Sequence, residues 1–213
     1  MRNFRLLPTL LQTALALLMA HTGAEAKSVR ELWLNLPDSV APYLSGSQRL
    51  ECVDFYEMHS TAETTNLLGG RTRVDTMTVD FMQVKLSKAS ALQMKLLPTA
   101  DGKDSVLCVV HTFFGPERES SVRLFTQDWR SLGRVAIPTD AASFFARPDT
   151  MTSERFNELL ACLDPVMFGA DLAADSNTLT VKPSYCVASE SDKKELDAMA
   201  LQRKLNWNGA TFK

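Results

Sequence analysis

The amino-acid sequence predicts an α+β protein that is mainly antiparallel sheet, with helices packed on one face. Strand patterns follow one another between residues 62 and 126 and are separated only by turn signals, which predicts a meander. Helical patterns stand before and after this run and do not alternate with its strands, which favours antiparallel pairing. Ser47-Gln48-Arg49-Leu50 is echoed by Ser153-Glu154-Arg155-Phe156, and this leaves open a division into two similar halves.

Within the meander, apolar and polar residues alternate along two neighbouring strands. The alternating positions are Met82, Val84 and Leu86 against Gln83 and Lys85, then Leu92, Met94 and Leu96 against Gln93 and Lys95. A period of two predicts that one face of each strand meets a core and the other meets water. Residues 106–110 are apolar on both faces and predict the central strand, between turns at Asp101-Gly102 and Gly115-Pro116.

The other elements follow from helical spacing, capping residues and turn signals. In order, the sequence predicts helices over 29–36 and from Ser47 to Tyr56, strands over 62–68 and 71–78, a helix from Thr152 or Ser153 to Leu163, a hairpin of 166–172 with 178–181, a helix from Ser191, and a terminal hairpin at Asn208-Gly209.

The first 26 residues have the pattern of an export signal. Arg2 and Arg5 precede a largely apolar stretch over 6–20, and Ala24-Glu25-Ala26 provides small residues around a cleavage point. We therefore expect a soluble mature chain, residues 27–213, in the periplasm or outside the cell, without a transmembrane segment. It is predicted to form a single α+β domain, with a subdivision near 130–150 left open.

The charge of the mature chain argues against nucleic acid as a partner. Removing Arg2, Arg5 and Glu25 leaves 21 basic and 24 acidic residues, a net charge of −3. A protein that follows a phosphate backbone needs clustered basic residues, whereas Lys and Arg are scattered among acids here.

Four cysteines, Cys52, Cys108, Cys162 and Cys186, remain after cleavage. Export permits disulfides, and Cys162 with Cys186 is the preferred pair because these two are close in sequence but lie in different elements. Buried free thiols are the alternative for Cys52 and Cys162 on predicted helices and for Cys108 in the central strand. The C-x-x-C spacing of thioredoxin-like and zinc-knuckle sites does not occur in the sequence.

The sequence predicts no catalytic, cofactor-binding or metal-binding residue. It has no G-x-S-x-G, H-E-x-x-H, phosphate-loop or dinucleotide motif. His59 is expected at a helix end, and His111 is expected to point away from Cys108 across a strand. Glu117 and Glu119 are interpreted as a solvated turn, since neighbouring carboxylates in one loop rarely converge across a cleft.

Four triplets of aspartate, a hydroxyl residue and a small or apolar residue are similar to the O-glycosylation acceptor sequence of many exported bacterial proteins. Their hydroxyl residues are Ser39, Thr76, Ser105 and Thr150. We expect at least one of them to carry a glycan. The alternative is that Asp-Ser and Asp-Thr pairs simply form turns before strands.

Four stretches together resemble an uncharacterised family of exported proteins from Gram-negative gut and oral anaerobes. They are Asn35-Leu36-Pro37-Asp38-Ser39, Met94-Lys95-Leu96-Leu97-Pro98, Arg123-Leu124-Phe125 leading to Asp128-Trp129, and Trp207-Asn208-Gly209 with Phe212. The resemblance covers nearly all of the mature chain. It implies export and one folding unit, and it assigns no activity, cofactor or site residue.

Two functions remain open at this point. The first is a non-enzymatic envelope protein that binds or scaffolds an envelope protein or glycan, through a sheet face or through the loop over 133–148 if Phe144 and Phe145 are exposed. The second is a hydrolase or glycan-processing enzyme whose site is assembled from distant residues. It would require a pocket in which His59, His111 or two carboxylates converge.

Overall fold

Two antiparallel sheets dominate the computed structural model, which describes residues 27–213. The predicted signal peptide lies outside the described residues. The large sheet contains seven strands: β1 Thr64–Thr65, β2 Arg71–Met77, β3 Phe81–Lys85, β4 Ser90–Pro98, β5 Ser105–Phe114, β6 Arg118–Phe125 and β7 Ser131–Arg134. The small sheet contains three: β8 Val166–Leu172, β9 Thr178–Tyr185 and β10 Arg203–Asn206.

Four α-helices and one 3-10 helix accompany the sheets within residues 27–213. They are α1 Val29–Leu34, α2 Gly46–Glu57, α3 Ser153–Ala161 and α4 Glu190–Met199, with the 3-10 helix at Ala141–Phe144. This arrangement confirms the predicted α+β class. None of these helices has both the length and the apolar character required to cross a bilayer.

The large sheet is a meander in which every strand pairs with its neighbours in sequence, from β1 to β7. Strand β5 lies near the middle and pairs along most of its length with β4 and β6. This confirms that residues 106–110 belong to a central strand: Leu107 and Val109 enter one apolar cluster, while Cys108 and Val110 enter another.

Helices α1 and α2 cover one face of the large sheet. Leu32 and Trp33 of α1 and Val53 of α2 are buried against sheet residues that include Val84 and Leu92. Both helices begin with a capping box, at Ser28 and Ser45, in which the cap side chain and the N3 side chain satisfy each other's backbone N–H groups. The Trp33 indole N–H donates to the Arg49 carbonyl at 2.9 Å and joins the two helices.

The small sheet covers much of the other face, so the prediction that this face meets water was wrong there. Strand β8 packs across β6, β5 and β4. Lys95, expected in solvent, is buried, and its Nζ donates to the Ala174 carbonyl at 2.9 Å. The Leu172 N–H donates to Gln93 Oε1 at 2.8 Å. Polar residues of the alternating pattern therefore hold the two sheets together.

Several predicted element boundaries shift by a few residues. Helix α2 is capped by Ser45, not Ser47, and α4 by Ser189, not Ser191. Thr152 caps α3 as expected. Trp207 bridges to Phe212, and the Asn208 N–H donates to the Thr211 carbonyl at 3.1 Å, so the terminal hairpin forms around Gly209-Ala210. The sequence echo between the starts of α2 and α3 corresponds to unequal surroundings. Each helix precedes a sheet, but the two sheets have seven and three strands.

Candidate ligand-binding cleft

The end of the segment predicted as a strand over 62–68 is a turn, which is built around the buried side chain of Asn66. The strand ends after Thr65, and the Asn66 side chain organises a tight turn. Its Oδ1 accepts from the N–H groups of Leu68 and Gly70 at 3.0 and 2.9 Å, and its Nδ2 donates to the Leu86 carbonyl at 3.1 Å. An Asn side chain that binds nearby backbone competes with ladder hydrogen bonds, and this ends the strand.

The two glycines of this turn are required by its geometry. Gly69 has a φ of 77°, in the left-handed region that other residues rarely adopt. A Cβ on Gly70 would lie 2.8 Å from Asn66 Nδ2, closer than real contacts allow. The turn is therefore closely specified. It leaves Leu68 79% exposed, although a leucine is normally buried.

An open cleft of about 490 Å³ lies beside this turn, where β2 begins and β3 ends. Its wall combines the turn with the β3–β4 hairpin. The lining residues are Glu63, Leu68, Gly69, Gly70, Arg71, Lys85, Ser87, Lys88 and Ala89. The volume falls within the range of small-molecule sites.

Positive charge predominates in the cleft. Lys85 Nζ lies 3.0 Å from a carboxylate oxygen of Glu63, and this hydrogen bond lowers the pKa of Glu63. Arg71 is fixed differently, since its guanidinium donates to Thr65 Oγ1 at 3.0 Å. Within residues 27–213, no carboxylate lies within 4 Å of the Arg71 or Lys88 cationic nitrogens. These two cations remain available to a ligand.

A polar cluster joins the large sheet to the small one near the turn between β5 and β6. Arg118 holds Asp171 through two hydrogen bonds, one of them 2.8 Å long. The adjacent Glu117 accepts hydrogen bonds from Ser184 Oγ and from Cys186 Sγ. Glu117 is therefore part of an inter-sheet network and not the solvated turn that we expected, whereas Glu119 is exposed.

The charges in this cluster do not activate a nucleophile. The pKa of Glu117 is lowered, chiefly by the hydrogen bond from Ser184. The lowered pKa makes this carboxylate a weak base. The bond to Glu117 in turn raises the pKa of Cys186, which keeps the sulfur as a thiol. The network fits a structural link between the sheets better than a catalytic dyad.

The two histidines among residues 27–213 lie apart from the cleft. His59 follows the end of α2, is exposed and has a φ of 53°. His111 stacks on Phe113 with ring centroids 4.3 Å apart, and burial lowers its pKa. It points away from Cys108, as expected, because the two occupy opposite faces of β5. Neither histidine lines the cleft or a second cleft of about 390 Å³ beside Phe168.

The loop over 133–148 does not offer the aromatic surface that one hypothesis required. Phe144 is 0% exposed and Phe145 is 6% exposed. Their rings lie 5.2 Å from Phe168 and 5.5 Å from Tyr185, respectively, between centroids. These aromatics belong to the core under the small sheet. Exposed apolar side chains lie elsewhere, and Leu67 and Leu68 are two adjacent ones.

The four cysteines in the described part of the chain are free thiols. Cys52 and Cys108 are buried, and burial raises the pKa of Cys108 to about 12. Cys162 and Cys186 are exposed and bind different acceptors, the Glu158 carbonyl and the Glu117 carboxylate. The Cys162–Cys186 disulfide is not present in this structure and stays a prediction.

The four expected glycan acceptors are all accessible to some degree. Ser39 and Thr150 are exposed and lie in turns. Thr76 in β2 and Ser105 at the start of β5 are half-buried. Glycosylation stays a prediction, and the turns at Ser39 and Thr150 are the more accessible pair. No group of three or more His, Cys, Asp or Glu side chains across 27–213 is placed to hold a metal ion.

Comparison with known proteins identifies the family. The family model described as "Protein of unknown function (DUF3256)" matches residues 21–212. The chain belongs to this family. The prediction of an uncharacterised family is thereby confirmed. Comparison with curated proteins gives no match.

A solved structure is similar to this member of the family. It is a domain of an uncharacterized protein from Porphyromonas gingivalis W83, with a TM-score of 0.69 and 21% sequence identity. The alignment covers 88% of this chain and 99% of that chain. At this identity the likeness supports the fold and carries no function across.

Sequence reasoning missed the cleft because its parts were assigned to strands. Leu67 and Leu68 were expected inside a strand, where leucines need no explanation. The available signal was Asn66, which can terminate a strand, followed by two leucines, Gly69-Gly70 and Arg71. That order predicts an apolar turn beside a cation, but Lys85 and Lys88 join it only through the β2–β3 and β3–β4 pairings.

Proposed function

We propose that this chain is an exported, non-enzymatic binding protein of the cell envelope, and that the cleft beside Leu68 is its ligand site. The carrying observation is the Asn66 turn, which holds an exposed leucine next to two cations without a carboxylate partner. A turn whose backbone is fixed before binding loses less conformational entropy when the ligand arrives. Leu67 adjoins Leu68 on the same turn and is 64% exposed, so the apolar surface at this turn is larger than one scattered side chain.

The export part of the proposal rests on the sequence of residues 1–26. A charged start, an apolar stretch and Ala24-Glu25-Ala26 are together typical of a cleaved signal. The mature protein then begins at Lys27 and resides in the periplasm or outside the cell. N-terminal sequencing of the protein from an envelope fraction of its host tests this. Recovery of an intact Met1 terminus in the cytoplasmic fraction would contradict it.

The alternative, a hydrolase or glycan-processing enzyme, has less support. Its best candidate is the Glu117 cluster, where the carboxylate pKa is lowered and the Cys186 pKa is raised. A general base at neutral pH needs the opposite shift in a carboxylate. Catalysis predicts turnover of chromogenic ester, phosphate, glycoside or peptide substrates that Glu117→Gln or His111→Ala abolishes.

Protein-observed NMR with a fractionated envelope extract from the host tests binding. We expect amide shifts confined to residues 63–71 and 85–89. Leu68→Asp should suppress these shifts, while Val79→Asp should not. Val79 is a matched control, because it is 78% exposed and lies at the opposite end of the β2–β3 hairpin. Shifts that map elsewhere, or no shifts with any fraction, would refute the proposed site.

A further inference from the structure

The charge of the cleft opposes the charge of the whole chain. Arg71, Lys85 and Lys88 contribute three positive charges and Glu63 one negative charge, whereas the full sequence has a net charge of −2. Glu63 bonds Lys85 at 3.0 Å and interacts more weakly with Arg71, so its charge chiefly offsets that of Lys85. The excess is therefore located on Arg71 and Lys88. A local excess of positive charge in a concave site favours an anionic ligand.

The two free cations differ in what they offer to an anion. Arg71 is the first residue of β2, and its guanidinium donates to Thr65 Oγ1. This bond already orients one edge of the planar guanidinium. A guanidinium binds a carboxylate or a phosphate through paired N–H donors, while an ammonium such as Lys88 acts as a point charge. Both cations are exposed, so their attraction for an anion will weaken as salt is added.

The apolar part of the cleft lies next to these charges. Leu68 and Ala89 are both exposed and both line it. A volume of about 490 Å³ is far more than a carboxylate or phosphate group occupies. The remaining space borders Leu68. A ligand that joins an anionic group to an apolar portion matches both the cations and the apolar side chains of this lining.

We infer that the cleft binds a small anionic amphiphile, in which a carboxylate or phosphate is held between Arg71 and Lys88 while an apolar chain lies on Leu68. This inference rests on the proposed function, since it specifies the ligand class of the same site. Binding here is non-covalent. The carboxylate and phosphate forms share this chemistry, and the experiment below distinguishes them.

Four probes separate the two parts of the inference in NMR titrations of the mature chain at low salt. Octyl phosphate and octanoate carry both features, octyl glucoside carries the chain without charge, and inorganic phosphate carries charge without the chain. We expect octyl phosphate or octanoate to shift the amide signals of residues 63–71 and 85–89. Its dissociation constant should be at least about tenfold lower than those of the other two probes. The tighter of the two anionic amphiphiles identifies the preferred anion.

Matched variants complete the test. The double variant Arg71→Gln, Lys88→Gln should lower the affinity for the best probe by about tenfold or more. It should also abolish the salt dependence of that affinity. Lys103→Gln with Arg130→Gln removes two other exposed cations and should leave the affinity unchanged. Leu68→Ser should weaken the amphiphiles and not inorganic phosphate. Unchanged spectra of the free variants outside the cleft establish that they are folded.

The outcomes distinguish this inference from the proposed function. Equal affinity for octyl glucoside, or full affinity in the Arg71/Lys88 double variant, overturns the anionic ligand class. If none of the four probes shifts the cleft residues but an envelope extract does, the ligand class is wrong and the binding site stands. If neither the probes nor the extract shifts them, both fail.

Discussion

Replacing Asn66 with alanine should destabilise the protein by about 2–3 kcal/mol. The substitution removes the acceptor of the Leu68 and Gly70 amides, both half-buried bonds, and one donor to the Leu86 carbonyl. Each lost hydrogen bond costs about 1 kcal/mol, and a partner that stays buried without a replacement costs more. The Leu86 carbonyl retains the Thr72 hydroxyl at 2.8 Å, so its loss is partial.

Asn208 provides a matched control for this substitution. Its Oδ1 also accepts from two amides of a turn, those of Ala210 and Thr211 at 3.1 and 2.9 Å, but all three residues are exposed. Water can replace the lost acceptor there, so Asn208→Ala should cost less than about 1 kcal/mol. The assay is urea unfolding of residues 27–213 followed by tryptophan fluorescence, with the denaturant slope compared between variants.

The result bears directly on whether the turn is specified in advance of ligand binding. If Asn66→Ala costs no more than Asn208→Ala at an unchanged slope, the buried bonds do not hold the turn. The exposed position of Leu68 would then have no structural cause, and the account of the cleft would be refuted.

Three further predictions concern other parts of the molecule. Lys95→Met should change stability by less than about 1 kcal/mol, because the Asp80 carboxylate is half-exposed and Ala174 is exposed, so both acceptors regain water. Lys95→Ala should cost about 2 kcal/mol or more in urea unfolding, because it leaves a cavity. Glu117→Gln should speed alkylation of Cys186 near pH 7.5, measured by mass spectrometry. Loss of the Glu117 carboxylate lowers the thiol pKa and raises the thiolate fraction, so an unchanged rate would contradict the bond. The intact mass of protein from its native host should exceed that of the polypeptide starting at Lys27, and Ser39→Ala or Thr150→Ala should remove part of the excess. A bare mass would end the glycan hypothesis.

The local patterns of the sequence predict the meander well because its strands pair in chain order. Turn signals such as Asp101-Gly102 lie between consecutive partners, and Gly102 does adopt a φ of 67°. The hairpin of β8 with β9 is confirmed for the same reason. Short-range signals are sufficient when each strand is paired with the next.

The layering of the two sheets could not be read in this way. Gln93 and Lys95 have the pattern of a solvent face, and only the crossing of β8, some 80 residues later, covers Gln93 in part and buries Lys95. Long polar side chains can serve either environment, since Lys carries an apolar stem. The alternation therefore identifies strand faces but not what covers them.

The cleft was beyond sequence reasoning for a related physical cause. Asn66 binds amides within its own turn, and this competes with extending the strand. Its bond to the Leu86 carbonyl, 20 residues away, is a contact that local patterns do not reveal. Lys85 and Lys88 approach Arg71 through sheet register. Basic residues are scattered over the chain as a whole, but Arg71, Lys85 and Lys88 come together at this site.

The most direct test of the account is photo-crosslinking in the native host from a benzoyl-phenylalanine placed at position 68 or at position 79. Both side chains are equally exposed, and the length of β2 separates them by about 20 Å. We predict a discrete adduct from position 68 that disappears when Arg71 and Lys88 are both changed to glutamine, with none from position 79. Equal labelling from the two positions, or an adduct that survives the loss of both cations, would contradict a ligand site in this cleft.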